Sequence, residues 1–370
     1  MKSVLKLSSK KYSLEIPIIG AATTLVVFGL TMIYDASVVA AFRDFGDKLY
    51  YFKNQLLWAS LGFVALGFFS FFNYHKLIKF APAIFLLSLF LLIAVLIPGI
   101  GAKIYGARRW ISFANFTFQP SEFAKLALIF YQVSIISRFQ NYRMRLLDTA
   151  TVFFLPTFIL AALVLLEPDL GTVLIFAGIT FAVYFIGQAP LWHFVLAIPA
   201  LMIASLIAII AQPYRLTRLE VFLDPNFDPQ GASYQINQIL KSLANGGILG
   251  VGLGASRGKF DFIPEVHSDA IFAVVAEELG FVGAVFLIGL LLFLIIKSTE
   301  VAKNAGDFEG KIMASAIATL FGTQAFLNLA SVVALIPLTG IPLPFISYGG
   351  SSLVVTLSAV GILINIRRNS

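Results

Sequence analysis

The sequence predicts an all-α polytopic membrane protein with about ten transmembrane helices and a long structured outer loop between helices 7 and 8. Of its 370 residues, 59% are hydrophobic and only 12% are charged, against roughly 45–50% and 25% in ordinary soluble domains. The apolar residues fall in runs of about 20, the length that crosses a bilayer as a helix. The charged residues cluster between those runs, so a soluble globular protein is excluded.

Ten apolar runs are long enough to be membrane spans. The first is not a cleavable signal peptide, because its apolar run is too long and lacks a small-residue cleavage site. The break Glu167-Pro168-Asp169 between the fifth and sixth runs is short, so those two runs could also form one kinked helix. The runs lie at residues 14–35, 53–73, 79–98, 120–138, 149–166, 170–187, 191–212, 269–296, 311–336 and 345–366.

The distribution of Lys and Arg sets the predicted orientation, because cations resist translocation across the membrane. With the N-terminus inside, the inner segments carry 14 Lys and Arg residues and the short outer loops carry six. The terminal segments 1–13 and 367–370 are therefore predicted to be cytoplasmic. Since no long polar block separates the runs, residues 1–370 are predicted to form a single membrane domain.

The outer connection at residues 213–268 is much longer than most loops, and loops of this length are usually functional or disordered. Its many aromatic and aliphatic residues favour a structured loop. Residues 232–243 have apolar groups at helical spacing, which is typical of an interfacial helix lying on the bilayer. Turn residues surround this helix, and we interpret the glycines at 250–254 as a source of loop flexibility.

Asp269 is the first candidate for chemistry, since it lies where the polar loop changes into an apolar run. Its carboxylate should therefore lie at a helix start, at the outer membrane boundary. The competing interpretation is a helix N-cap, which Asp and Ser commonly provide, although Ser268 alone could fill that role. His267 could orient the Asp or bind a phosphate, or it could simply cap or pack.

Several ionisable residues lie inside predicted spans, where charges are costly and usually face a polar cavity or a partner. Glu122 and Lys125 are three residues apart on one helix face and could form a structural ion pair. Glu277 and Glu278 lie on the helix that follows Asp269. Because Glu277 is eight residues from Asp269, about 12 Å along a helix axis, the two cannot form a directly bonded carboxylate dyad.

The outer loops also carry Lys and Arg residues, which at a membrane surface usually meet lipid headgroups or solvent. Cations next to a lone acid at the outer boundary suggest instead an anionic, lipid-borne ligand. Ser351 lies in a run of small residues, Gly349-Gly350-Ser351-Ser352, and we interpret it as a site of close helix packing. The candidate cations are Arg109, Lys125, Arg215, Arg218 and Lys259.

Other classes of site are excluded or unsupported. The chain has no Cys, which excludes a disulfide framework, a thiolate nucleophile and a Cys-ligated metal. Its three His residues are too scattered for a His-built metal site, and it lacks a phosphate loop, a Rossmann glycine pattern and an HExxH motif. No nucleic-acid partner is expected.

Seven motifs occur in order along the chain: GARRWI at 106–111, FQPSEFAKL at 118–126, EPDLGT at 167–172, GASYQ at 231–235, FIPEVHSD at 262–269, AEELG at 276–280 and PFISYGGSS at 344–352. Together they resemble the SEDS (shape, elongation, division and sporulation) family of bacterial membrane proteins over essentially the whole chain. The glycine-rich stretch at 250–254 is more similar to the division branch, FtsW, than to the elongation branch, RodA. Ser268 and Ala270 stand where Thr and Phe are usual.

This resemblance implies a peptidoglycan glycosyltransferase of the bacterial cytoplasmic (inner) membrane that polymerises lipid II at the outer face during division or elongation. It also implies a class B penicillin-binding protein as partner and places the catalytic aspartate at Asp269. We interpret Asp269 as a general base and the outer cations as groups that stabilise the undecaprenyl pyrophosphate leaving group. The substrate-binding candidates are Arg109, Glu122, Lys125, Arg215, Arg218, Lys259 and His267.

Two rival functions fit part of the sequence. A lipid II flippase suits a multi-spanning chain with intramembrane Glu and Lys equally well, but the acid and cations at the outer face favour a polymerase. A non-catalytic scaffold for the penicillin-binding protein leaves the buried ionisable groups unexplained. A divalent cation, Mg²⁺ or Mn²⁺, could assist the leaving group, although the sequence shows no compact ligand cluster. Membrane lipids are expected to surround the spans.

Overall fold

The computed structural model describes residues 14–104, 107–113, 116–140, 145–188, 190, 192–224, 226–256 and 266–370. These residues form long helices that pack against one another, and a small sheet lies in one of the connections between them. The helices are α1 (Glu15–Phe45), α2 (Tyr50–Phe71), α3 (Tyr74–Lys79), α4 (Ala81–Leu96), α5 (Pro120–Arg138), α6 (Leu146–Leu166), α7 (Leu170–Ile186), α8 (His193–Ile210), α9 (Pro213–Leu223), α10 (Tyr234–Gly246), α11 (Ile271–Lys303), α12 (Phe308–Val332) and α13 (Gly350–Arg368). The strands are β1 (Gly101–Ile104), β2 (Ala107–Phe113) and β3 (Phe116–Phe118).

Each of the ten predicted spans coincides with one of these helices, which confirms the polytopic helical class. In the described part of the chain, α1, α2, α6, α8, α11, α12 and α13 are long and apolar enough to cross a membrane, and α4 and α7 are shorter apolar helices. The remaining helix, α5, corresponds to the fourth predicted span. It is less apolar because it carries Glu122 and Lys125, but most of its residues are buried among the other helices. Separate helices α6 and α7 exclude the single kinked helix.

The centre of the bundle is formed by α5, α12 and α13. In the most apolar stretch of each helix, 78% of the residues of α13 and 67% of those of α12 are buried, whereas only 6% of those of α8 are. The helix α8 therefore lies at the periphery, where its apolar side chains suit a lipid environment. Close packing at the centre depends on small residues: a side chain at Gly361 of α13 would press into Leu66 and Phe69 of α2.

A three-stranded antiparallel sheet connects α4 to α5, where the sequence analysis predicts no strand. The strand β2 pairs with both neighbours, with Ala102 opposite Trp110 and Ser112 opposite Thr117. The strands contain four, seven and three residues. Strands this short give too few alternations for the two-residue period of a sheet to be recognised.

The connection at 213–268 contains the predicted helix, α10, and a second helix, α9, that the sequence analysis missed. The helix α10 packs along α11, with Ile236 and Ile239 among its buried residues, and its position on the bilayer stays a prediction. Gly246 touches the backbone of Ala276 so closely that a side chain would not fit. The loop is therefore packed onto the bundle.

The helix α11 is interrupted at Gly280, which has φ 65° and ψ −164°. The glycine-rich segment 247–254 fills this break, and the N–H of Val251 donates to the carbonyl oxygen of Glu277 at 3.0 Å. Gly250 has φ 80° and no room for a Cβ against the backbone of α11. The interpretation of this stretch as loop flexibility is wrong at Gly250, because the absence of a side chain there permits two backbones to approach closely.

Candidate active site at one end of the bundle

Asp269 lies in the turn before α11 and is partly exposed. The helix begins at Ile271, and its N-cap is Ala270, with no side-chain hydrogen bond to the cap. The N-cap role considered for Asp269 and Ser268 is therefore wrong.

Arg218 of α9 and the carboxylate of Asp269 border the same backbone position, Gly340. A Cβ placed on Gly340 would lie 3.3 Å from Oδ2 of Asp269 and 3.9 Å from Nη1 of Arg218. Gly340 has φ 70°, a conformation that favours glycine. The guanidinium is anchored by a hydrogen bond from Nη1 to the carbonyl oxygen of Leu338 at 2.7 Å. The structure thus brings a predicted acid and a predicted cation together.

Arg218 also lines a cavity of about 300 Å³ between α9, α10 and the segment that follows α12. Its guanidinium carbon lies 4.9 Å from the centre of the Tyr214 ring, a cation–π contact. The remaining wall is mostly apolar, with Gln235 as a further polar group. A cavity with a cation and an aromatic ring beside a partly exposed acid can bind a polar ligand that is attached to an apolar chain.

Arg109 and Arg215 both hold the backbone near the turn between α6 and α7. Arg109 donates from Nε to the carbonyl oxygen of Glu167 at 2.7 Å and from Nη2 to that of Pro168 at 2.6 Å. Arg215 is buried and donates to the carbonyl oxygen of Leu165 at 3.1 Å and to one near the end of α8 at 2.7 Å. These guanidinium groups join separate elements of the bundle, and their contact with substrate stays a prediction.

Glu167, in the same turn, is fully buried, and its carboxyl oxygens have no hydrogen-bond partner among the described residues. Burial, assisted by the charge of Asp169 and opposed by that of Arg109, raises the pKa of Glu167 to about 9. The carboxyl is therefore neutral at pH 7, which is how a buried acid avoids the cost of an unpaired charge.

We expect Glu167→Gln to stabilise the protein increasingly as the pH rises. The unfolded chain ionises this carboxyl near its ordinary pKa of 4.5, whereas the folded protein keeps it protonated until about pH 9. The wild-type protein therefore loses stability as the pH rises from the pKa of Glu167 in the unfolded chain towards its pKa in the folded protein. The Glu167→Gln variant does not lose this stability, because Gln does not ionise.

Thermal unfolding in detergent from about pH 5 to about pH 9 measures this effect. The difference in Tm between Glu167→Gln and wild type should widen with pH in favour of the variant. Glu220→Gln, which removes a partly exposed carboxyl on α9, is the control. A difference in Tm that does not change with pH would show that Glu167 ionises alike in both states.

Glu122 and Lys125 form the structural ion pair that their spacing allows. Nζ of Lys125 lies 2.6 Å from Oε1 of Glu122, and both side chains are buried. Nζ also donates to Oε1 of Gln324 on α12 at 3.3 Å, and Gln324 donates in turn to the carbonyl oxygen of Pro342 at 3.1 Å. The pair links α5 to α12 and to the segment before α13, and its contact with substrate stays a prediction.

Glu277 and Glu278 hold the glycine-rich segment against α11. Oε2 of Glu277 accepts from the hydroxyl of Ser256 at 2.5 Å, and the carboxylate of Glu278 accepts from the N–H groups of Gly254 and Ser256, each at 3.1 Å. Both glutamates are buried. Both glutamates therefore join α11 to the loop that precedes it, at Gly254 and Ser256.

His267 packs between two tyrosines, with ring centroids 4.2 Å from Tyr51 and 5.4 Å from Tyr348. It is buried, which supports the packing interpretation, and phosphate binding by His267 stays a prediction. The candidate Lys259 lies outside the described residues.

Ser351 connects the start of α13 to the strand before α5. Its hydroxyl accepts a hydrogen bond from the N–H of Gln119 at 3.0 Å and donates to the carbonyl oxygen of Thr117 at 3.3 Å. Ser351 therefore links α13 to β3 and to the residue that follows it, and its role in close helix packing stays a prediction.

No group of three or more His, Cys, Asp or Glu side chains that could hold a metal ion occurs in the described part of the chain. Mg²⁺ usually keeps several waters and is bound by one or two carboxylates together with substrate phosphates. The predicted Mg²⁺ or Mn²⁺ therefore stays a prediction.

Sequence reasoning missed Asn328, a buried residue of α12. Its Nδ2 donates to the carbonyl oxygen of Asp269 at 3.0 Å and to that of Ile341 at 2.8 Å. The available signal was an amide inside the apolar run 311–336, since buried amides in membrane spans usually hydrogen-bond to a neighbouring element.

Comparison with known proteins gives a consistent result for the whole chain. The family model FTSW_RODA_SPOVE, described as a cell cycle protein, matches residues 16–370. The chain is similar to the probable peptidoglycan glycosyltransferase FtsW of Trichlorobacter lovleyi, with 40% identity over 343 residues covering 92% of this chain and 90% of that protein. It is also similar to stage V sporulation protein E of Bacillus subtilis, with 36% identity over 368 residues covering 98% and 100%.

Solved structures share the fold. A chain from work described as the structural coordination of polymerization and crosslinking by a peptidoglycan synthase complex matches with a TM-score of 0.78 and 28% identity, covering 95% of this chain and 96% of that one. The rod shape determining protein RodA of Thermus thermophilus matches with a TM-score of 0.70 and 27% identity, covering 95% and 96%.

Proposed function

Because the chain belongs to the FTSW_RODA_SPOVE family of cell cycle proteins, we propose that it is a peptidoglycan glycosyltransferase that polymerises lipid II into glycan strands. The names of its FtsW relatives support this activity. The observation that carries the proposal is that the carboxylate of Asp269 and the guanidinium of Arg218 both border Gly340, while Arg218 also lines a cavity. A partly exposed acid next to an anchored cation suits a reaction that deprotonates a hydroxyl and releases an anion.

Asp269 is the proposed general base. The C4 hydroxyl of one lipid-linked sugar attacks the anomeric carbon of another, and the carboxylate of Asp269 takes the hydroxyl proton. The new carbon–oxygen bond forms as the bond between the anomeric carbon and the pyrophosphate breaks. Proton transfer to a positioned base typically contributes about 10²–10⁴-fold to the rate.

Arg218 is the proposed cation for the departing pyrophosphate. An ordinary glycoside needs a carboxylic acid to protonate the leaving oxygen, but pyrophosphate leaves as a stable anion and needs a positive group nearby. All four candidate cations in the described residues make hydrogen bonds to groups of the protein. Arg218 is the one proposed because its guanidinium borders the same backbone position, Gly340, as the carboxylate of Asp269.

We place the Asp269 end of the bundle at the outer face of the bacterial cytoplasmic membrane, with both termini in the cytoplasm. The excess of Lys and Arg in the opposite loops supports this orientation. The polyprenyl chain would reach the site laterally between helices, because removing it from the bilayer is costly. A class B penicillin-binding protein is the proposed partner, supported by the similarity to a chain of a peptidoglycan synthase complex.

Purified protein with lipid II in detergent, and with no other glycosyltransferase, tests the activity. Glycan strands on a gel support the proposal. In proteoliposomes, movement of unchanged lipid II across the bilayer without polymer would favour the flippase. Polymer that appears only with a partner able to polymerise by itself would favour the scaffold. Either result overturns the proposed function.

We expect Arg109→Ala to destabilise the protein and to slow polymerisation. The substitution removes two hydrogen bonds from a charged donor, and each such bond is worth about 1.5–3 kcal/mol. Thermal unfolding and the polymerisation rate of the folded fraction measure the two effects. Arg109→Lys should recover part of the stability, and Arg108→Ala, the neighbouring cation on β2, is the control. Unchanged Tm and rate in Arg109→Ala would exclude this role.

A further inference from the structure

The turn that carries Asp269 is held through three consecutive main-chain carbonyl groups, at residues 267, 268 and 269. These residues precede α11, so the hydrogen bonds of that helix do not fix them. All three contacts come from α12 and the segment leading into α13. The donors are the N–H of Tyr348 to His267 at 2.9 Å, the hydroxyl of Ser347 to Ser268 at 2.6 Å and the amide of Asn328 to Asp269 at 3.0 Å.

The side chain of Asn328 can satisfy these contacts in one orientation. Both of its partners, the carbonyl oxygens of Asp269 and Ile341, only accept hydrogen bonds, so the NH₂ group must face them. Its Oδ1 is then buried without a hydrogen-bond partner among the described residues. A buried unsatisfied acceptor costs about 1–3 kcal/mol, and its retention in a native fold needs a reason.

The second partner of Asn328 supplies that reason. Ile341 directly follows Gly340, the residue that borders Oδ2 of Asp269 and Nη1 of Arg218. One amide therefore fixes both the turn that bears the carboxylate and the backbone segment that faces it. The segment is secured again by Ser347, whose hydroxyl accepts from the N–H of Leu343 at 2.8 Å.

We propose that Asn328 is a positioning residue that sets the place of the Asp269 carboxylate for proton transfer, with Ser347 in support. The inference rests on the proposed function, since it concerns the base of that reaction. A general base must lie within hydrogen-bond reach of the proton that it removes. A displacement of about 1 Å at a reacting group can cost about 10²-fold in rate.

The first test is the kinetics of Asn328→Leu, which keeps a similar volume and removes the donor. We expect kcat to fall about 10²-fold while KM for lipid II stays within about twofold, because the base is displaced and the binding groups are not. Asn328→Ser keeps one donor and should recover part of kcat. Ser331→Ala is the matched control, because it removes a buried hydrogen bond to the carbonyl oxygen of Asn328 on the same helix.

The second test separates positioning from general structure. In an Asp269→Asn background, Asn328→Leu should cause no further loss of residual activity, because residues that act through one group are not additive. Should Asn328→Leu fail to fold, Ser347→Ala supplies the same pair of measurements, with an expected fall in kcat of about tenfold.

Three results would overturn the inference: equal losses in both backgrounds, a raised KM with unchanged kcat, or the same loss in Ser331→Ala. Failure of the proposed function itself is distinguishable, since wild-type protein would then make no polymer.

Discussion

Asp269→Asn and Asp269→Ala should lose lipid II polymerisation while retaining lipid II binding. An amide or a methyl group cannot accept the hydroxyl proton at neutral pH, so the contribution of a general base, about 10²–10⁴-fold, is removed. Asn has nearly the same shape as Asp. The main-chain contact with Asn328 should therefore persist, and the loss in Asp269→Asn should reflect chemistry more than folding.

Polymer on a gel and the binding of labelled lipid II, measured on the same folded preparations, check this expectation. Glu220→Gln removes a carboxyl from α9, the helix that carries Arg218, and should polymerise at the wild-type rate. Glycan strands of wild-type length from either Asp269 variant would refute the assignment of the base. Loss of binding together with polymerisation would assign Asp269 to substrate recognition instead.

The positions of the spans could be predicted from the sequence because the bilayer imposes its thickness on each apolar run. The interval Glu167-Pro168-Asp169 shows how little is needed to end a span: Asp169 caps α7 by accepting from the N–H of Thr172 at 3.0 Å. The proximity of Arg218 to Asp269 agrees with the expectation of a cation near the acid. The sequence indicated an acid and several cations as candidates, and the fold shows that Asp269 and Arg218 border the same residue, Gly340.

The roles of Arg109 and Arg215 could not be separated from that of Arg218 by sequence. A guanidinium donates equally well to a phosphate and to a backbone carbonyl, and only the fold shows which acceptor lies within reach. Asn328 was missed for a similar reason, because its partners are main-chain atoms that are far away in sequence. Gly340 gave no signal at all, since its importance comes from its φ value and from what borders it.

Lys125→Met is expected to cause the largest loss of stability, because it leaves Glu122 buried without its cation. Breaking a buried ion pair by removing one partner typically costs about 3–5 kcal/mol, whereas replacing both partners by residues of similar volume is often neutral. The two side chains are almost completely inaccessible, so water cannot compensate the charge. The double variant Glu122→Gln/Lys125→Met should therefore recover most of the lost stability.

Thermal unfolding of the three proteins checks the stability, and the double variant then separates structure from substrate binding. If Lys125 also stabilises the leaving pyrophosphate, the double variant should be stable and yet polymerise slowly, since Met offers no positive charge. Wild-type turnover in a stable double variant would assign the pair to structure alone. A Lys125→Met protein as stable as wild type would contradict the expectation, because it would mean that Glu122 is neutral without its partner.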